Sequence, residues 1–97
     1  MNGEASATVQ IDDEHIRVTR YDMEPGERIR WHRHESDYLV VPLTDGVVEV
    51  VALQGASGQR MRAGESYQRS AGTEHELVNG EHPYSFIEIE FIQSRSR

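Results

Sequence analysis

The chain of 97 residues has no cysteine and no lysine. Without cysteine there is no disulfide framework and no thiolate nucleophile. Without lysine, Schiff-base chemistry is excluded, and every basic side chain other than histidine is arginine. Long apolar runs are missing too: no stretch approaches the roughly 20 residues that a membrane helix needs. The start, Met1-Asn2-Gly3-Glu4-Ala5, lacks the basic and apolar regions of a secretory signal. There is no Gly-x-Ser-x-Gly elbow, no phosphate-binding glycine-rich loop and no segment with a helical period of 3.6. A net charge of −7 opposes binding to nucleic acid or an anionic membrane, so neither is expected as a partner. These absences predict a cytoplasmic protein with one domain over residues 1–97 and a modest core, supplemented by a metal or a partner subunit. Any chemistry rests on histidines, carboxylates, tyrosines and a bound metal.

What is present is a series of short β-branched or aromatic segments separated by turns, which predicts an all-β chain. Thr8 to Ile11 and His15 to Met23 read as strands around the acidic turn Asp12-Asp13-Glu14. Pro25-Gly26 turns into a strand from Arg28 to His34. Tyr38 to Leu43 is apolar but holds Pro42, a sign of a bulge or edge. Asp45-Gly46 predicts a hairpin into Val47 to Leu53. Residues 54–58 read as a flexible loop, followed by short strands over Gln59–Arg62, Ser66–Arg69 and Thr73–Val78. Asn79-Gly80 turns again, and Ser85 to Ile92 alternates Ile87, Ile89 and Phe91 against Glu88 and Glu90. The ends, Met1 to Ser6 and Ser94 to Arg97, are expected to fray. Eight or nine strands in so short a chain must close or stack to protect their edges.

Two stretches place three histidines where they can meet. His32 and His34 are separated by one residue in an extended segment, so both imidazoles leave the same face. His75 lies in a second extended run. Neutral imidazole is the commonest metal ligand, and two from one strand plus one from a facing strand make a metal site. His15 and His82 flank turns and are expected at the surface.

The spacings resemble the two motifs of the cupins, small β-barrel proteins with a metal centre. The first, G-x5-H-x-H-x3,4-E-x6-G, is met by Gly26, His32, His34 and Gly46. The second, G-x5-P-x-G-x2-H-x3-N, is met by Gly64, Gly72, His75 and Asn79, with Ser70 in place of the proline. The resemblance covers residues 26–79 and implies a single-domain, double-sheet jelly-roll barrel. It also implies one divalent metal ion per chain (zinc, iron, nickel, manganese or copper) on His32, His34 and His75. The usual glutamate ligand is missing: its slot falls on Tyr38 or Leu39, depending on the count. Tyr38 is either a weak fourth ligand or a hydrogen-bonding group beside the site.

Arg28 and Arg30 share the parity of His32 and His34. In an unbroken strand Arg30 points inward, where it would clamp an anionic acid; alternatively both arginines sit at the mouth and pair with surface acids. Tyr38 and Arg30 are thus the candidate catalytic side chains. Glu74 and Glu76 should face away from His75, and glycines 26, 46, 64 and 72, with Asn79, read as turn positions tolerating positive φ. Ile29 and Trp31 should face outward, which favours a homodimer. The function implied is a metal-dependent enzyme of small-molecule metabolism, of dioxygenase or isomerase type. A non-catalytic binding or sensor protein is the alternative, and a metal-free structural barrel the third reading.

Overall fold

Alternation between turn signals becomes nine antiparallel strands, described over residues 3–92 in a computed structural model. They are β1 (Ser6–Asp12), β2 (Ile16–Met23), β3 (Arg28–Arg33), β4 (Tyr38–Pro42), β5 (Gly46–Ala52), β6 (Gly55–Met61), β7 (Tyr67–Arg69), β8 (Glu74–Asn79) and β9 (Tyr84–Phe91). Five form one sheet in the order β1-β2-β9-β4-β7, and four form a second in the order β3-β8-β5-β6. The result is a jelly roll whose two sheets face each other but stay open instead of closing into the expected barrel. None of the described residues forms a helix long and apolar enough to cross a membrane.

Between the sheets lie Met23, Tyr38, Val40, Val48, Met61, Tyr84 and Phe86. Phe86 is sandwiched by Tyr21 at 5.1 Å and Tyr84 at 5.5 Å between ring centroids. Such offset stacks add to the burial of apolar area. The cluster runs up to the polar groups at Tyr38, whose ring stacks on His34.

Several turns differ from their expected roles. Asp45-Gly46 is a crossing between the sheets, because β4 pairs with β7 and β9 whereas β5 pairs with β6 and β8. Gly46 does not have positive φ; it is small because a Cβ there would lie 2.9 Å from the Tyr84 ring. The hairpin is one step later: Ala52 pairs with Gly55 around Leu53-Gln54, and residues 55–58 belong to a strand, not a loop. Small, polar residues hid it, since an exposed edge strand needs backbone pairing more than apolar side chains. Pro42 ends β4 beyond the point where β7 pairs, so its missing N–H costs no bond to that neighbour.

The N-terminal segment is tied down over its described part. The Ala5 N–H donates to the Arg28 carbonyl at 2.9 Å, and the Arg28 N–H donates to the Gly3 carbonyl at 3.2 Å. Fraying is therefore not seen for Gly3 to Ser6, and the other residues expected to fray, 1–2 and 94–97, lie outside the described residues.

Asn79 is a buried latch and not a positive-φ turn residue. Its amide donates to the carbonyls of Met23 and Glu24, both at 3.1 Å, and of His82 at 2.8 Å. One side chain thus joins the β2–β3 turn to the β8–β9 turn. Asn79→Ala leaves those buried carbonyls short of a donor and should destabilise the protein by about 1–3 kcal/mol. Urea unfolding should show a lower midpoint with an unchanged slope; an unaltered midpoint would refute the latch.

Candidate metal centre

The backbone brings the three histidines together by two devices. His32 pairs directly with His75 across the β3–β8 ladder. His34, just past the end of β3, is held by the loop before β8: its N–H donates to the Thr73 carbonyl at 2.9 Å, and the Gly72 N–H donates to its carbonyl at 2.8 Å. Gly72 has φ 93°, a conformation suited to glycine, and this explains the motif glycine three residues before His75.

The side chains then converge. His34 Nε2 lies 3.0 Å from His32 Nε2 and 3.2 Å from His75 Nε2. His32 Nδ1–H donates to the Arg30 carbonyl at 2.6 Å, because a carbonyl can only accept. That fixes the tautomer and leaves His32 Nε2 bare toward the other rings. With metal–nitrogen distances of about 2.0–2.1 Å, nitrogens 3.0–3.2 Å apart subtend roughly 90–105° at a shared ion. The residues therefore fit a divalent metal.

Burial keeps His34 and His75 neutral. His34 is only 5% exposed. Its imidazolium is disfavoured by burial and then by His32 and His75, which together lower its pKa to about 3. Burial, His32 and Arg69 lower that of His75 to about 4. Neutral imidazole is the form that binds metal.

Tyr38 lies under this group. Its ring stacks on His34 with centroids 3.7 Å apart and 16° between planes. The hydroxyl is buried without a hydrogen-bond partner, and burial, with Glu88 and Tyr67, raises its pKa above the ordinary value of 10. The phenol is thus a neutral support for the imidazole.

Arg30 does not point inward. Between Ile29 and His32 the register of β3 against β8 slips by one residue, so Ile29 and His32 share the inner face. This bulge turns Ile29 into the core, against the expectation that it faces out, and leaves Trp31 42% exposed. Arg30 is exposed and ion-paired with Glu4. Arg28 pairs with Glu76 at 2.8 Å, and Arg33 with Glu74 at 3.4 Å, so Glu74 and Glu76 face away from His75 as alternation predicts. His15 is at the surface beside Glu14, as expected.

Glu88 and Glu90 are the residues that sequence reasoning missed. The alternation along β9 is inverted: Tyr84, Phe86 and Glu88 are buried, while Phe91 is exposed. Glu88 is 8% exposed, and burial followed by the neighbouring Glu90 raises its pKa to about 7. Carboxylate oxygens of both residues lie within 4.8 Å of a His34 ring nitrogen. The available signal was the parity that Glu88 shares with Tyr84 and Phe86.

An open groove of about 400 Å³ runs past the site, with His32, His34, Glu88, Glu90, Arg17 and Arg30 among its walls. A cavity of about 40 Å³, room for little more than one water, lies on the His75 side among Tyr38, Tyr67, Arg69 and Glu88. Larger surface hollows of about 530 and 600 Å³ contain none of the three histidines. The 400 Å³ groove is within the range for small-molecule sites.

Facing jelly-roll sheets with two histidines at the end of one strand and a third on its neighbour define a cupin-type protein. The cupin-domain profile (Cupin_2) matches residues 19–90, and the chain belongs to this family. The β-alanine degradation protein BauB of Pseudomonas aeruginosa PAO1 is 40% identical over 88 residues, covering 90% of this chain and 93% of that protein. A cupin domain from Bordetella pertussis Tohama I is 38% identical and superposes with a TM-score of 0.90, over 94% of this chain and 96% of the other. The DMSP lyase DddQ of Ruegeria pomeroyi DSS-3 shares the fold alone, with a TM-score of 0.75 at 13% identity over 97% of this chain and 50% of that one.

The opposed shifts have a measurable consequence in metal-free protein. Depressed pKa values of about 3 and 4 mean that His34 and His75 contribute stability above the unfolded value of 6.5, which is lost as pH falls toward the folded values. Glu88, raised from 4.5 to about 7, contributes stability below 4.5 that is lost as pH rises through 7. Between pH 6.5 and 4.5 the two histidines favour proton uptake by the unfolded chain, and Glu88 opposes them with one proton. Glu88→Gln removes the opposition and should steepen the acid loss of stability by about 1.4 kcal/mol per pH unit in that window. Denaturant unfolding across the window checks it; parallel curves for the two proteins would refute it.

Proposed function

We propose that the chain is a metal-binding cupin of small-molecule metabolism, an enzyme of dioxygenase or isomerase type with one divalent ion on His32, His34 and His75. The observation that carries this reading is the convergence of three imidazole nitrogens beside a groove of small-molecule size. The likeness to BauB supports metabolism of a small acid of the β-alanine kind. When bound, such a metal supplies Lewis acidity and open positions for a chelating substrate. The residues of the chain do the rest. Tyr38 holds the His34 ring in place, and the Arg30 carbonyl fixes the His32 tautomer. Arg17, on the groove wall, attracts the carboxylate end of the ligand, while the Arg30 guanidinium is engaged by Glu4 on the outer face. The openness of the groove also suits a non-catalytic binder of the same acid; oxygen uptake by Fe(II)-loaded protein, present for a dioxygenase and absent for a binder, separates them.

The reading includes a cytoplasmic location and a homodimer. Trp31 is exposed, and the outer face of the five-stranded sheet aligns Val18, Ile89 and Leu39 in one row, which supports association. Sedimentation at micromolar concentration should give about twice the 11.1 kDa chain mass. A monomer would refute the dimer and leave the metal site standing.

His34→Ala should abolish stoichiometric metal in protein purified without a histidine tag. Tyr38→Phe should retain it, because a buried neutral phenol contributes little as a ligand. Elemental analysis reads both. Undiminished metal in the variant with alanine at His32, His34 and His75 would overturn the assignment, and complete loss in Tyr38→Phe would make Tyr38 a true ligand.

A further inference from the structure

The motif slot for a carboxylate ligand is filled by Tyr38 in this chain, but the adjacent strand carries two carboxylates on the same inner face. Across the β4–β9 ladder Tyr38 is paired with Glu90, and Val40 with Glu88. Directly paired residues project from the same side of a sheet, with Cβ atoms about 4.5–5.5 Å apart. Both glutamates therefore stand beside the empty slot, one strand away from it. Their surroundings differ. Glu90 has a cation at hand in Arg17, at 3.8 Å. Glu88 is 8% exposed and lines the open groove, and among the described residues its carboxyl has no ion pair of the kind Glu90 makes with Arg17. Its carboxylate lies within 4.8 Å of a His34 ring nitrogen, and it lines both the groove and the small cavity beside His75. A largely buried carboxylate is costly unless it takes up a proton or a cation pairs with it.

We propose that Glu88 is the oxygen ligand that completes the metal centre, replacing the glutamate absent from the Tyr38 slot. The inference rests on the three-histidine reading and extends it. With a metal bound, Glu88 would supply its carboxylate from β9, in the sheet facing β3 and β8, which carry His32 and His75. The set becomes three imidazoles and one carboxylate, the latter delivered by a different strand from the one the motif uses. One negative charge at the ion offsets part of its 2+ charge and strengthens retention of harder metals such as Mn²⁺ over a site of imidazoles alone.

The test is chelator competition with Zn²⁺ and Mn²⁺ on wild-type protein and on Glu88→Gln, Glu90→Gln and His34→Ala, with circular dichroism to confirm folding. The visible spectrum of Co²⁺-loaded protein gives a second readout, because it reports the ligand set independently of affinity. The expected result is a 1:1 complex in Glu88→Gln weakened by about tenfold or more, with a shifted Co²⁺ spectrum. Glu90→Gln should bind as wild type does, and His34→Ala should not bind. Affinity within about twofold of wild type and an unchanged Co²⁺ spectrum in Glu88→Gln overturn the proposal while leaving the histidine site intact. Loss in Glu90→Gln instead overturns it in favour of the neighbouring carboxylate. A wild-type protein that binds neither metal overturns the three-histidine reading itself, and this inference with it. Should Glu88→Gln not fold, Glu88→Asp carries the test: a carboxylate one methylene short loses affinity if it is a ligand, and wild-type affinity refutes it.

Discussion

Three imidazole nitrogens aimed at one point impose a hydrogen-bonding problem that the protein alone solves poorly. His32 has its proton on Nδ1, so its Nε2 needs a donor. His34 Nε2 stands between the other two and can donate to one of them only. A cation satisfies all three lone pairs together. The surrounding structure is arranged to keep the three rings in this relation. The β3 bulge brings His32 onto the inner face together with Ile29, the Gly72 turn anchors the His34 backbone, and the Tyr38 ring restricts the His34 imidazole to one plane.

This requirement divides the interior. Apolar packing around Met23, Tyr84, Phe86 and Val48 fills one end, where Asn79 ties two turns together. The other end holds three histidines, Glu88 and Glu90, groups that contribute no hydrophobic stabilisation and incur a desolvation cost. The arrangement also explains the solvent-facing ion pairs of β3: with the bulge in place, Arg28 and Arg30 meet Glu76 and Glu4 outside, while Ile29 and His32 take the inner face.

Much of this was legible from the chain. The strand spans and the convergence of His32, His34 and His75 follow from alternation and motif spacing, because residue parity in a regular strand decides which face a side chain takes. Parity also explains the failures. One extra residue at Arg30-Trp31 inverts the face of everything before it, so Arg30 moved out and Ile29 moved in. A bulge has no reliable residue signature, and nothing in Arg-Ile-Arg-Trp announces one. In β9, isoleucines and phenylalanine alternating with glutamates read as an apolar inner face, yet the glutamates are inside. Hydrophobic alternation names the buried side only when the interior is apolar, and beside the three converging histidines it is not. The strand Gly55–Met61 escaped because its pairing to β5 is a backbone matter that Gly, Ala and Ser do not advertise.

The central claim is that the three converging nitrogens hold a metal ion. A crystal of untagged protein, measured above and below the absorption edge of the metal found by elemental analysis, tests it directly. The account predicts a single anomalous peak per chain, about 2.0–2.2 Å from the Nε2 atoms of His32, His34 and His75. It is contradicted if no peak appears there after incubation with divalent metal and the three imidazoles are hydrogen-bonded only to one another and to water.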